Sequence, residues 1–312
     1  MLRPDWLTID PAGPVTIGPR TLPGRIWTAS GCFGYGLQGH DILGADGNSV
    51  LNGLGAVVTK TVTQNPRAGN PPPRIWDAGA GALNSIGLEN VGLERFLEDV
   101  VPRLHAMGIP FVVSLAGTRP DEFGVMTRRL AFVAGSLPEW HGVELNLSCP
   151  NVAEGGVDFG RDPDMVRACT EAAAAHVTDR MLLAKLTPNS ARIAPLAKAA
   201  ANGGAHGITA INTLVGMDID LMTGQPVLPR RRGGYSGPAI LPVALAKVDE
   251  IVQETGLPVV GVGGIRSAGD ALKFFAVGAV AVQIGTAQMD DPFTASRTAA
   301  ELGWRSPDIR NQ

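Results

Sequence analysis

The sequence predicts an α/β protein of the (β/α)8, or TIM, barrel class, in one domain spanning 1–312, with long loops at the C-terminal face. Three observations predict it. Eight short apolar runs recur along the chain, most without strict alternation, as in parallel strands covered on both faces. Ala/Leu-rich helical stretches lie between them. Three long segments, 61–92, 150–163 and 213–237, each follow a strand, which in a barrel puts all three at the end where active sites form.

The strands are read as Arg25–Ser30, Ala56–Lys60, Phe111–Ala116, Gly142–Ser148, Met181–Leu186, Gly207–Asn212, Pro258–Val262 and Val280–Ile284. Helices are expected at Leu93–Met107 and Arg119–Gly135, and at Asp164–Val177 with Pro163 as its start signal. Ala191–Asn202 ends at Gly203–Gly204, Pro238–Thr255 at Gly256 and Ser267–Val277 at Gly278, each a glycine suited to a C-cap. The rival doubly wound sheet needs a G-x-G-x-x-G turn after an early strand. None is there, and Gly261-Val-Gly-Gly-Ile-Arg-Ser-Ala-Gly269 is late and misses the pattern.

Composition narrows the function classes. Glycine accounts for 40 of 312 residues, about 13% against about 7% in average usage. No G-X-Y period accompanies it, so the glycines serve tight turns or close approach to a ligand. A net charge of −3 argues against a broad grip on nucleic acid. Arg230, Arg231 and Arg232 form the only dense basic run, read as a solvated loop. The three cysteines, Cys32, Cys149 and Cys169, form no C-x-x-C pair, so the chain holds neither a zinc ribbon nor an iron–sulfur cluster by itself. So few cysteines point to a reducing cytoplasm. The start, MLRPDWLTIDP, lacks an apolar h-region, and the uncharged stretch Phe274–Met289 is too short and polar to span a membrane.

Polar residues and glycines gather at the strand ends. Gly263-Gly264 and Gly285-Thr286 follow the seventh and eighth strands, where barrels often hold phosphate on backbone N–H groups; glycines also simply terminate strands. Asn84, Asn146, Asn151 and Asn212 fall on the same face. Their amides suit a neutral ring with alternating C=O and N–H groups, although any single Asn is as readily a turn former. Lys60 or Lys185 suits a carboxylate or an electron-rich cofactor ring. Cys149, in a glycine-rich loop, is the candidate reactive group, a thiol able to act as a base where its thiolate is stabilised. Cys169 reads as a small core hydrophobe and Cys32 as a pocket-lining residue.

Eight motifs in order carry a resemblance: TASGCFGYG (28–36), NPRAGNPPPR (65–74), LNSIGLEN (83–90), ELNLSCPNVAEGG (144–156), INTLVGMDIDL (211–221), GGYSGPAI (233–240), GVGGI (261–265) and QIGTA (283–287). From about Trp27 to Asp291 the chain resembles the dihydroorotate dehydrogenases, specifically the class 1B catalytic subunit. The resemblance implies a barrel holding FMN and oxidation of dihydroorotate to orotate in pyrimidine biosynthesis. Cys149 would remove the C5 proton while hydride leaves C6 for FMN. Lys60 would contact both substrate and FMN. Asn84, Ser85, Ile86, Gly87, Leu88, Asn146, Asn151, Asn212 and Thr213 would bind the pyrimidine. Ser30, Thr61, Ser114, Asn146, Lys185, Ile211 and Gly237 would hold the flavin, and Gly263, Gly264, Gly285 and Thr286 its phosphate. At Ser114 the class usually has Asn, and Arg161 stands where a small polar residue is usual. The class further implies a homodimer or, with an FAD and 2Fe-2S subunit that passes electrons to NAD, a heterotetramer. Two other readings stay open: a dihydropyrimidine dehydrogenase-like enzyme acting on dihydrouracil or dihydrothymine, and a Schiff-base lyase on a phosphorylated substrate using Lys185 or Lys60.

Overall fold

The computed structural model describes residues 9–44, 47, 49–148 and 159–304. Cys149 and Asn151 therefore lie outside the described residues. Eight parallel strands close into a barrel: β1 (Ile26–Thr28), β2 (Ala56–Val58), β3 (Phe111–Leu115), β4 (Trp140–Asn146), β5 (Met181–Leu186), β6 (Gly207–Ala210), β7 (Val259–Val262) and β8 (Ala281–Ile284). Each pairs with the next in sequence, and β8 closes on β1 through Val282↔Ile26, Gln283↔Trp27 and Ile284↔Thr28. The expected (β/α)8 architecture is therefore present, with seven strands at or inside the span read from the sequence and β4 starting two residues earlier, at Trp140 rather than Gly142.

Helices flank the strands. Pro120–Ala134, Pro163–Ala174, Ala194–Asn202, Leu241–Thr255 and Ala268–Ala276 follow the expected order. Local chemistry fixes their ends. The side chain of Asp162 accepts a hydrogen bond from the Asp164 N–H, and that of Ser267 accepts one from the Asp270 N–H. Gly256 ends its helix at φ 66°, a left-handed conformation that glycine adopts without a Cβ penalty.

Four departures from the sequence reading have physical causes. The segment read as one helix, Leu93–Met107, contains a π turn at Phe96–Val100 between α-helical Leu93–Arg95 and Val101–Ala106, with Pro102 just after it. Two helices after β8, Ala287–Asp290 and Thr294–Trp304, were not expected. A hairpin, Val15–Ile17 with Arg20–Leu22, precedes the barrel. Finally, two of the long loops are not irregular: 61–92 and 213–237 together build a four-stranded antiparallel sheet in the order Leu214–Gly216, Gly233–Ser236, Ala82–Asn84, Ile75–Asp77.

The barrel interior has two zones. Trp27, Ala56, Val58, Val112, Met181, Leu183, Val260 and Ala281 pack together with Val15, Ile17 and Leu22 of the hairpin, which plugs the N-terminal end. Because side chains of a strand alternate, residues two positions on face the same interior nearer the C-terminal end. There the residues are polar: Lys60 after Val58, Ser114 after Val112, Lys185 after Leu183.

Candidate active site

The C-terminal ends of the strands bring a connected set of polar side chains together. Asn212 donates from Nδ2 to Asn146 Oδ1 at 3.2 Å, and Asn146 donates from Nδ2 to Thr61 Oγ1 at 3.4 Å. Thr61 Oγ1 in turn meets Ser30 Oγ at 3.1 Å and Ser114 Oγ at 2.9 Å. One chain of hydrogen bonds thus crosses the mouth, joining residues at the ends of β6, β4, β2, β1 and β3. Five of the expected site residues belong to it. Ser114 is fully buried and spends its hydroxyl on Thr61.

The antiparallel sheet supplies the second wall. Asn84 donates from Nδ2 to the Gly234 carbonyl at 3.1 Å. A Cβ on Gly234 would come within 2.3 Å of Thr213 Oγ1 and 3.2 Å of Asn84 Nδ2, so glycine there lets the three residues converge. The half-buried stretch Ser85–Leu88 continues from Asn84. Two asparagines that the sequence reading did not single out staple it. Asn70 donates to the Ser85 carbonyl and hydroxyl, both at 2.9 Å, and Asn90 donates to the Leu88 carbonyl at 2.8 Å. A third, Asn189, donates to the Thr213 carbonyl at 3.0 Å and accepts from the Val215 N–H at 2.9 Å. For Asn70 and Asn189 the one available signal was an Asn beside Pro, in NPRAGNPPPR and LTPNS; Asn90 ends the motif LNSIGLEN, with nothing local to mark it as a staple.

Lys60 stands beside this stretch. Its Nζ lies 4.0 Å from Glu89 Oε2, and Arg74 holds the same carboxylate oxygen at 2.7 Å. The backbone N–H of Lys60 donates to the Gly34 carbonyl at 2.7 Å, which ties the end of β2 to the glycine-rich loop after β1.

The ends of β7 and β8 form a cradle of backbone donors. Gly263 and Gly264 have φ of 135° and 77°, conformations that L side chains rarely adopt. A Cβ on Gly264 would meet the Leu241 N at 2.8 Å and the Gly237 O at 3.0 Å, so the turn lies against the start of the helix Leu241–Thr255. Among the described residues, the N–H groups of Gly263, Gly264, Gly285 and Thr286 have no hydrogen-bond acceptor. Unpaired donors beside a helix N-terminus favour an anion. Thr286 donates its hydroxyl to Ser236 Oγ at 2.8 Å, linking this cradle to the antiparallel sheet.

Lys185 is buried between these groups. Its Nζ lies 3.6 Å from Glu144 Oε1 and 3.5 Å from Gln283 Oε1. It also faces Cys32, whose thiol burial pushes up while the Lys185 charge pulls it down. Cys32 Sγ is 3.3 Å from where a Cβ on Gly285 would stand, so Cys32 does line the mouth. Cys169 is fully buried on its helix, and burial alone pushes its thiol up to about 12, as suits an inert core residue. Arg230, Arg231 and Arg232 are exposed. No helix of the described residues is long and apolar enough to cross a membrane.

Comparison with known proteins agrees with this geometry. The family described as Dihydroorotate dehydrogenase matches residues 14–305. The chain is 43% identical over 289 residues to the "Dihydroorotate dehydrogenase B (NAD(+)), catalytic subunit" of Trichlorobacter lovleyi, covering 93% of this chain and 91% of that protein. It is 42% identical over 288 residues to the protein of the same name from Geotalea daltonii, covering 92% and 91%. With the one from Bacillus thuringiensis it shares 40% over 282 residues, covering 90% and 88%. A closed barrel, a polar chain across its mouth and a match over nearly the whole length agree: the chain belongs to the dihydroorotate dehydrogenase family.

Proposed function

We propose that the protein oxidises (S)-dihydroorotate to orotate in pyrimidine biosynthesis, as the catalytic subunit of an NAD-linked dihydroorotate dehydrogenase working in the cytoplasm. The observation that carries the reading is the continuous polar chain Asn212–Asn146–Thr61 at the mouth, set between Lys60 and the unpaired donors of the β7 and β8 ends.

FMN fits the residues present. The four unpaired N–H groups at 263, 264, 285 and 286 suit its phosphate. Lys185, Ser30, Thr61, Ser114, Asn146, Ile211 and Gly237 would flank its ring. When bound, FMN supplies a two-electron acceptor for the hydride at C6 of the substrate. The protein's own residues do the rest. Asn146 and Asn212, each with a donor and an acceptor on one amide, match the alternating C=O and N–H groups of the ring. With Asn151 they orient it, while Asn84, Ser85, Ile86, Gly87, Leu88 and Thr213 close over its edge. Lys60 pairs with the substrate carboxylate. Cys149, as thiolate, takes the C5 proton.

The electrons leave through an FAD and 2Fe-2S subunit on their way to NAD. With its three cysteines scattered in sequence, this chain supplies no such cluster. The antiparallel sheet, with the short strand pair Ile219–Asp220 and Gln225–Pro226 that follows its strand Leu214–Gly216, exposes Ile75, Trp76, Val215, Met217, Ile219, Leu221 and Met222. An apolar face of that extent suits a second copy of the chain.

One experiment tests the reading. The protein is purified from its native cell, sized, and assayed with dihydroorotate and dihydrouracil. A yellow dimer or heterotetramer that oxidises dihydroorotate, with NAD reduced when the FAD and iron–sulfur protein accompanies it, is expected. Turnover of dihydrouracil alone would transfer the reading to the dihydropyrimidine dehydrogenases, since only orotate carries the carboxylate Lys60 would hold. A colourless protein that takes up no FMN would favour a Schiff-base lyase.

A further inference from the structure

Beneath the mouth, inside the barrel, a charged residue sits that none of the roles above uses. Glu144 of β4 is fully buried, one inward position below Asn146. Thr209 donates its hydroxyl to Glu144 Oε2 at 2.9 Å, and Gln283 donates from Nε2 to the same oxygen at 2.6 Å. Both donors are themselves fully buried. These two neutral bonds lock the carboxylate. Its other oxygen, Oε1, has no hydrogen-bond partner among the described residues and faces a single cation, Lys185 Nζ, at 3.6 Å. Gln283 completes the ring by placing Oε1 at 3.5 Å from the same ammonium. Glu144 of β4 and Gln283 of β8 thus converge on the amine of Lys185 on β5, with Thr209 of β6 holding Glu144 from behind.

We propose that Glu144 is a positioning residue for Lys185: it pins the ammonium from below, so that the charge is presented upward to the flavin ring. This rests on the reading of Lys185 as a flavin contact. A carboxylate without a counter-charge is costly in a barrel interior, and an ammonium there is equally costly. Each is retained because the other is present, and breaking such a pair strands the survivor. In Glu144→Gln the two neutral bonds to Thr209 and Gln283 can persist, but the ammonium loses its anchor and withdraws from the ring.

The sign of one measurement separates this role from a direct one. A cation held at the flavin ring stabilises the reduced, more negative cofactor and raises its midpoint potential. Were Glu144 acting on the flavin by itself, removing its negative charge would raise the potential. Acting through Lys185, its removal lowers it. The test measures the FMN midpoint potential of the purified, FMN-loaded chain as wild type, Glu144→Gln, Lys185→Met and the double variant. Lys185→Met is expected to lower the potential. Glu144→Gln is expected to lower it too, by about tenfold in the preference for reduced over oxidised FMN, or about 30 mV for a two-electron couple. In the Lys185→Met background the same change is expected to have no effect. A rise in Glu144→Gln, no shift, or an equal shift in both backgrounds overturns the positioning role and leaves the flavin reading standing. No effect of Lys185→Met, or a wild type that takes up no FMN, overturns that reading and this role with it. Should Glu144→Gln not fold, Glu144→Asp carries the test: its carboxylate retreats by one methylene, and a smaller fall that vanishes with Lys185→Met is expected.

Discussion

On β5, Leu183 and Lys185 face the same interior two residues apart, yet they belong to different kinds of structure. Leu183 lies in the apolar floor with Trp27, Val58, Val112 and Val260, sealed by the N-terminal hairpin. Lys185 lies in the mouth with Glu144, Gln283 and the chain from Asn212 to Ser30. The floor is close-packed and needs no directional partners. The mouth is held by hydrogen bonds and leaves the four N–H groups at the β7 and β8 ends unpaired. The same strands therefore carry stability at one end and unsatisfied polarity at the other. Binding energy is available only where the fold has left groups unpaired.

Substitutions at the two ends separate these properties. For the chemistry, Cys149→Ser is expected to keep FMN and the wild-type melting temperature, while dihydroorotate turnover at neutral pH falls by about 10²–10⁴, the usual worth of a general base. Wild-type turnover would remove Cys149 from the base role. In the floor, Leu183→Ala is expected to lose about 2–5 kcal/mol of stability, from lost burial and the cavity left behind. Its turnover per folded molecule and FMN affinity are expected to stay within about twofold of wild type, far inside a factor of ten or 1.4 kcal/mol. Denaturant melts and FMN titration check both. A floor variant that unfolds little but loses FMN would mean that the two ends are not separable.

This division also governs what was legible in the sequence. The eight barrel strands were readable because burial on both faces gives continuous apolar runs such as FVVSL and MLLAKL. The antiparallel sheet was not. Its strands are three or four residues long, several are glycine-bearing or exposed, and Ile75–Asp77 has no buried residue at all. Thr294–Trp304, with its Thr, Ser and Ala residues, lacks the Leu and Val spacing that marked the other helices. At the site, residues at strand ends could be named because barrel geometry puts those ends together. Asn70, Asn90 and Asn189 act by stapling loops, which no local pattern encodes. Glu144 did leave a signal, a lone charge inside an apolar strand, but its partners Thr209 and Gln283 lie 65 and 139 residues away.

The smallest expected effect lies outside the barrel, where Cys169 provides a control for the mouth thiol Cys32. Cys169 is fully buried on the helix Pro163–Ala174, with its thiol pushed up from 9.0 to about 12 by burial alone. Cys32 is also pushed up by burial, but Lys185 opposes the shift. A raised folded-state value means that the folded protein keeps its proton where the unfolded chain gives it up. The resulting stability is complete below about 9 and is lost as the pH climbs toward about 12. Cys169→Ala is therefore expected to cost a modest, pH-independent amount by lost packing, about 1 kcal/mol, and to flatten the alkaline fall in stability. Melts at pH 8 and pH 10 check this. The gap between wild type and variant should narrow at the higher pH; a constant gap would mean that Cys169 ionises as freely in the folded chain as in the unfolded one, and that burial does not set its state.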